Sequence, residues 1–476
     1  MIRRLKAHLP MGYYGKNIAK LAGGTAIGQA IAILASPALT RLYSPNDFGV
    51  LAVYASIVGI AGSLASLSYH QAIPLPEDSD EAANVLGLSL LLMLLMVGLT
   101  SVVVAFIGEE VATQLGVPQL ASYLWLIPLG VFGLAFYEAI NQWAVREKAF
   151  SVIARTTVAK GVVQTGTHLI FGFAATGPFG LVFGQFLGQW VGAGSLLRNA
   201  IRQSGTALRG ITTVGMKRAV TRYSKFLRFT SPSILFNVIG SNTPPLILSY
   251  FFGGAVAGFL ALGERVLMIP VTLLAKNTSQ VFVASAAEFH QKGRLSIEVE
   301  YLFDRMLRLG LTPVIILGIA APVLFAFVFG DQWAEAGHYA RWLSVWLLFV
   351  FVSYGLTPVI LVLERQKAGM WFQVFLAIGR IGSLVVGGLI GDALLAVALF
   401  GVVSGLLWAF YLAWLLIVSG VSASNAAKSF YKSLFVSLPY VVPVAACIIL
   451  SVPSMVTVGV VLICVLSVTI RHNFER

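Results

Sequence analysis

Arg265 and Lys276 stand eleven residues apart in GERVLMIPVTLLAKNTSQVF (Gly263–Phe282), a stretch otherwise apolar enough to enter a membrane. Eleven residues are about three helical turns plus about 20°. A regular helix would therefore turn both cations to one side, with Thr272 and Ser279 or Gln280 continuing the polar stripe. An ionisable side chain at bilayer depth faces a water-filled cavity or a partner charge. Cations lining such a cavity suit an anionic passenger, and Arg380, ten residues into the apolar stretch Met370–Ile390, is a further deep cation. Glu264 adjoins Arg265, but neighbours in sequence point about 100° apart on a helix and do not face each other.

Other polar residues fall inside apolar stretches. Lys160, Gln164 and His168 recur at four-residue spacing and form one helix face, open either to a passenger or to hydrogen bonds with a neighbouring helix. Arg41 ends the first apolar stretch, as a passenger contact, an interface anchor or a partner of Asp47. Glu138 and Glu264 are the candidate ligands for a coupling proton or sodium ion. Gly180, Gly184, Gly188 and Gly192 make a small-residue stripe that reads as a packing face. The chain carries no phosphate-cradling loop, no His/Cys metal spacing and no nucleophile elbow. No catalytic residue, metal site or organic cofactor is assigned, and H+ or Na+ is the only inorganic partner considered. Cys447 and Cys464 both lie in apolar segments, which argues against a disulfide framework.

The elements that position these residues are membrane helices. The chain is 58% hydrophobic and 11% charged, with a mean hydropathy of +0.87, far from soluble composition. Apolar runs predict about fourteen spans by the criterion of about 20 residues each, from Ile18–Leu39 to Met455–Ile470. The first is too long for a secretory signal and is read as a retained helix. The net charge of +13 is concentrated in Arg198–Arg228, which holds no acid. Between two apolar spans, that segment reads as a basic cytoplasmic loop or interfacial amphipathic stretch rather than a nucleic-acid surface. Threading the spans with a cytoplasmic N-terminus puts Asp47, Glu109, Glu110, Asp331, Glu335 and Asp392 outside. The N-terminal bases Arg3, Arg4, Lys6, Lys16 and Lys20, the basic loop, and Arg471 and Arg476 fall inside, as the positive-inside bias requires. Both termini are thus expected in the cytoplasm.

A weak internal repeat aligns Gly49-x-Leu51-Ala52 with Gly258-x-Leu260-Ala261. It predicts an all-α polytopic membrane protein of two six-helix lobes plus two C-terminal helices. The expected parts are an N-lobe 1–197, a basic linker 198–228, a C-lobe 229–419 and a helix pair 420–476. Repeat-built transporters place their substrate between repeats. Polar turns this short leave no room for a soluble catalytic or nucleotide-binding module.

LTRLYSPNDFGVLAVYASI (Leu39–Ile57), GERVLMIPVTLLAKNTSQVF (Gly263–Phe282), FGDQWAEAGHYARWLSVW (Phe329–Trp346) and LERQK (Leu363–Lys367) occur in that order. The pattern resembles the Wzx-type oligosaccharide flippases, polysaccharide transporters of the MATE-like multidrug/oligosaccharidyl-lipid/polysaccharide superfamily, over roughly the first 420 residues. The resemblance implies a non-enzymatic, alternating-access protein of the bacterial inner membrane, serving O-antigen, capsule or exopolysaccharide synthesis. Its cargo would be an undecaprenyl-diphosphate-linked oligosaccharide, moved from the cytoplasmic to the periplasmic leaflet. Its partners would be the bilayer, a polysaccharide polymerase and a chain-length regulator. Arg265 and Arg41 lie in matching motifs and would hold diphosphate or acidic sugar; Arg380, Lys276, Gln164 and His168 join them by depth. Many of these flippases are described with twelve helices, and fourteen is the number in lipid II flippases. A lipid II flippase and a MATE-type cation or drug antiporter are therefore the rival readings, and a membrane-embedded glycosyltransferase or polymerase is a more distant one.

Overall fold

The structure, a computed structural model, describes residues 13–474. Arg3, Arg4, Lys6 and Arg476 lie outside the described residues, as do the side chains of Lys16, Lys20, Lys276, Gln280 and Arg471. The first half runs through α1 (Tyr13–Leu42), α2 (Pro45–Leu64), α3 (Ser79–Gln114), α4 (Leu126–Arg146), α5 (Phe150–Phe173) and α6 (Pro178–Arg209). A short α7 (Thr213–Arg222) leads to α8 (Ser231–Phe252). Then α9 (Gly254–Pro270) continues through a π turn, Val271–Ala275, into α10 (Lys276–Gln291). The rest is α11 (Leu295–Phe329), α12 (Ala334–Leu356), the brief α13 (Val359–Val362), α14 (Gln366–Ile390), α15 (Ala393–Val418), α16 (Ala423–Ile449) and α17 (Ser454–Phe474). With α9 and α10 taken as one rod and α7 and α13 set aside, fourteen long elements remain, the number hydropathy predicts.

Among the described residues, eight helices are long and apolar enough to cross a membrane on length and composition alone. In α4, α5 and α6 the hydropathy is diluted by polar residues such as Glu138, Lys160, Gln164, His168 and Gln185. Lipid is the natural solvent for α3, which leaves Leu94, Leu99 and Phe106 exposed. That helix also outruns its expected span, Asn84–Ile107, at both ends. Asp78 caps its start, accepting from the backbone N–H groups of Asp80 and Glu81, and the sequence Glu-Glu-Val-Ala-Thr-Gln carries the helix past the apolar run.

Two compact units divide the chain, residues 1–246 and 247–476. The boundary falls inside α8. The first part of α8 is held by the first unit: Ser231 Oγ donates to the Leu67 carbonyl (2.7 Å), and Ser68 Oγ lies 3.0 Å away. The expected loop 198–228 is largely helical. α6 runs on to Arg209, and α7 starts on a Thr212 cap whose hydroxyl accepts the Gly215 N–H at 3.0 Å. Asn84 ties α7 to α3, its Oδ1 accepting the Thr212 N–H at 2.8 Å, and Arg222 pairs with Glu81 at 2.9 Å.

In the first unit, α5 packs on α1 and α6 through small residues. A Cβ on Gly161 would stand 3.1 Å from the Gly28 carbonyl oxygen. On α6, the expected glycine stripe makes room for large neighbours: Gly188 for Gln164 and Gly192 for Tyr137. In the second unit α12 packs between α11 and α15, and α15 carries α14. The C-terminal pair docks on α11 through Ile316, Ala320, Val444, Val461 and Cys464, with Thr312 Oγ1 and Ser437 Oγ 2.7 Å apart. Both cysteines are free thiols.

Candidate functional site

Four helices of the second unit bring its deep charges together. Glu264 and Arg265 lie ten and eleven residues into α9, and Arg380 lies ten residues before the end of α14. These are depths of about 15 Å from the helix ends. Successive helices joined by short turns alternate in direction, so the Gly253, Gly330 and Gly391 turns share one end of this unit. All three glycines have positive φ (87°, 103° and 83°), a conformation side chains with a Cβ avoid. Equal depth from that end puts Glu264, Arg265 and Arg380 in one layer.

Arg380 is built into its place. Its Nε donates to Ser404 Oγ on α15 at 3.2 Å. Its guanidinium carbon lies 5.4 Å from the ring centre of Trp346 on α12 and 5.4 Å from that of Phe400 on α15. Gly405 lets α15 approach α12 at this level: a Cβ there would lie 3.5 Å from the Trp346 Cα. Glu264 and Arg380 interact electrostatically without touching as a salt bridge, and the Tyr354 phenol also feels Arg380. The charge partner of Glu264 is therefore on another helix, as the 100° offset from Arg265 demands. Among the described residues, Arg265 has neither a hydrogen-bond nor an ion-pair partner. All three charged residues are half-buried, so they keep exposed surface at mid-helix.

The rod between Arg265 and Lys276 is not a regular helix. The eleven-residue count assumes a regular helix, but a π turn holds one extra residue, so everything after Val271–Ala275 is rotated by up to about 100°. Pro270, just before it, lacks the N–H that a regular helix would use. Thr272, inside the turn, donates back to the Met268 carbonyl at 3.0 Å.

The polar face expected on α5 divides. His168 is buried, with Nε2 3.0 Å from the Leu181 carbonyl, and its own carbonyl accepts the Tyr43 hydroxyl at 2.7 Å. Gln164 donates from Nε2 to Gln185 Oε1 across the same α5–α6 contact. Lys160 instead lies over the Tyr137 ring, 4.7 Å from its centre, and interacts electrostatically with Glu138. Glu138 is also 3.9 Å from His70 Nε2. Sequence spacing did not single out His70, because a short 3-10 turn, Tyr69–Ala72, rather than a helix face places it.

Arg41 is exposed, and its Nη1 donates to the Pro37 carbonyl (2.7 Å) in the last turn of α1. Asp47 belongs to a capping box: Oδ2 accepts the Ser44 N–H at 2.9 Å, and the Asp47 N–H donates to Ser44 Oγ at 3.2 Å. The motif around Ser44-Pro45-Asn46-Asp47 thus starts α2 on its cap, with Pro45 at the first helical position.

Membrane-crossing helices with charges held at depth define a polytopic all-α protein of the transporter type. Residues 38–338 match the model of the family described as "Polysaccharide biosynthesis protein", and the chain belongs to that family. It is 23% identical over 417 residues to the succinoglycan biosynthesis transport protein ExoT of Rhizobium meliloti (strain 1021), covering 84% of this chain and 78% of that protein. In fold it is similar to a lipid II flippase MurJ in an inward closed conformation, at a TM-score of 0.72 and 11% identity, over 96% of this chain and 99% of that one. A multidrug resistance MATE family transporter in an inward-facing conformation aligns at 0.58 and 17% identity, over 86% and 95%. The family model and the succinoglycan transport relative agree with the resemblance to polysaccharide transporters, and the likeness to the lipid II flippase and the MATE transporter is one of fold.

Proposed function

We propose that this protein moves undecaprenyl-diphosphate-linked oligosaccharide repeat units from the cytoplasmic to the periplasmic leaflet of a bacterial inner membrane. The carrying observation is the layer of Arg265 and Arg380, with Arg265 lacking a counter-charge among the described residues. A guanidinium binds phosphate oxygens through charge-assisted, often bidentate hydrogen bonds. Glu264 opposes Arg380 and offsets part of its charge, so the layer binds an anion without holding it too tightly to release. Arg41 and Lys276 are assigned weaker, peripheral contacts with the cargo. Gln164 and His168 serve it by holding α5 against α6. The chain acts without chemistry on the cargo, by opening the site first to one side of the membrane and then to the other. The likeness to a succinoglycan transport protein supports a surface-polysaccharide cargo, delivered to a polymerase and its chain-length regulator. Both termini and residues 198–228 face the cytoplasm.

The test is transport in proteoliposomes, following a fluorescent diphosphate-linked oligosaccharide as it reaches the opposite leaflet. A folded Arg265→Ala, Arg380→Ala double variant should lose at least about tenfold in rate, equivalent to about 1.4 kcal/mol. Unchanged transport would overturn the cation-layer mechanism. Cationic-dye efflux without lipid-linked sugar movement would favour the antiporter instead.

A further inference from the structure

The first unit holds a second cluster of titratable groups, one that cargo binding does not use. Glu138 on α4 faces His70 Nε2 at 3.9 Å. The other ring nitrogen, Nδ1, lies 2.5 Å from Ser66 Oγ. A hydroxyl donating to Nδ1 leaves the proton of a neutral imidazole on Nε2, aimed at the carboxylate. Burial pushes the His70 imidazole down to about 4, so the ring is neutral at physiological pH. From α5, Lys160 interacts with the same carboxyl and lies over the Tyr137 ring. Among the described residues, Lys160 is the one charged group that acts on the Glu138 carboxyl. At the start of α3, Glu81 is taken by Arg222 and Tyr223; the Tyr69 hydroxyl donates to the Val220 carbonyl; Arg228, in the π turn before α8, is exposed. The two sides of the pair differ in access, with the His70 side chain 8% exposed and that of Glu138 38%. The carboxyl therefore keeps exposed surface while its imidazole partner is enclosed.

This chemistry discriminates between coupling ions. A sodium or divalent ion needs several oxygen ligands and no competing cation. Here one carboxylate has an ammonium beside it, and no group of three or more potential metal-ligating side chains occurs among the described residues. A proton needs only the one carboxyl and partners that differ in how well they hold its two states. When Glu138 is charged, Lys160 and the Nε2–H oppose it. When it takes a proton from water, the Lys160 charge is left to the Tyr137 ring, a weaker partner.

We propose that Glu138, with His70 and Lys160, is a proton-binding site that couples proton movement to the transport cycle, an inference that rests on the transport reading above. Infrared titration of the full-length protein, isotope-labelled at glutamate and scanned from about pH 5 to about pH 8, reads the site without any cargo. The wild type should show a protonated-carboxyl band that titrates in this range and is missing from Glu138→Gln. Lys160→Met should raise its midpoint by about one pH unit, because an opposite charge has been removed. In proteoliposomes, an imposed pH difference should speed lipid-linked oligosaccharide movement by the wild type and have no effect on Glu138→Gln. Identical infrared titrations of wild type and Glu138→Gln would overturn the site. An unchanged response of Glu138→Gln to the pH difference would overturn the coupling. If the wild type moves no lipid-linked sugar, the cargo assignment fails, while the infrared titration still reports on the proton site.

Discussion

The two deep arginines are not interchangeable. Arg380 is clasped between two aromatic rings and a serine, so its planar guanidinium is oriented before any anion arrives. Lysine keeps the charge and loses both the stacking and the fork. Arg380→Lys should therefore lower lipid-linked sugar transport by about tenfold, since the stacking lost is worth about 0.5–2 kcal/mol. Arg265, without a described partner, should tolerate lysine with a smaller loss. Equal losses in the two variants, measured by the same leaflet assay, would show that orientation at Arg380 is irrelevant. The motifs behind the family resemblance separate at this scale too. Ser44 and Asp47 spend their polar groups on a helix cap. In the Phe329–Trp346 stretch, Trp333 and Tyr339 are buried against Phe259, each with ring centres 6.0 Å apart. Those residues shape the fold, whereas Arg265 and Glu264 in their motif face charge chemistry.

At the scale of elements, small residues decide which helices meet. The α1–α5 crossing depends on Gly28 and Gly161, whose backbones leave no room for a branched side chain. Gly161→Leu should destabilise the detergent-purified protein by about 1–3 kcal/mol, visible as a lower melting temperature. The α7 latch works differently, through single polar contacts. Asn84→Ala leaves the Thr212 N–H without its acceptor and weakens the hold on Gly210, whose carbonyl accepts from Asn84 Nδ2 at 3.4 Å. An unmet donor costs about 1–3 kcal/mol. The expected outcome is faster amide exchange in α7, with α3 still protected; equal loss of protection in α3 would mean the latch holds more than α7. Periodicity anticipated α5 as a polar-faced helix, yet could not say that Gln164 and His168 turn into α6 while Lys160 turns to Glu138. Four-residue spacing defines a face, and only the neighbours determine what it meets.

Across the whole molecule, charge and hydropathy make the strongest statements. Orientation is tested by replacing Cys447 and Cys464 and placing single cysteines at Thr113 and Gln203, both exposed positions in the first unit. An impermeant maleimide added to spheroplasts should label Thr113→Cys and spare Gln203→Cys until the membrane is opened. The reverse pattern would invert the topology and, with it, the direction of transport. The expected number of spans comes from summing apolar runs against the thickness of a bilayer, a length the lipid sets rather than the fold.

Composition by itself determined that this chain lives in a membrane, with about fourteen helices and ionisable residues that had to face something other than lipid. Its short motifs also pointed toward the polysaccharide biosynthesis family to which it belongs, because helix caps and aromatic packing leave a contiguous trace in sequence. Pairing was another matter. Glu264 feels the charge of Arg380 from more than a hundred residues away, and Glu138 meets His70 through a 3-10 turn. The rod from Arg265 to Lys276 passes through a π turn after Pro270 that spacing alone did not announce. Hydropathy is additive along the chain and can be summed from residue types. A charge's partner depends on which helix faces land together, and that is decided by glycine contacts and irregular turns, which leave no periodic signal.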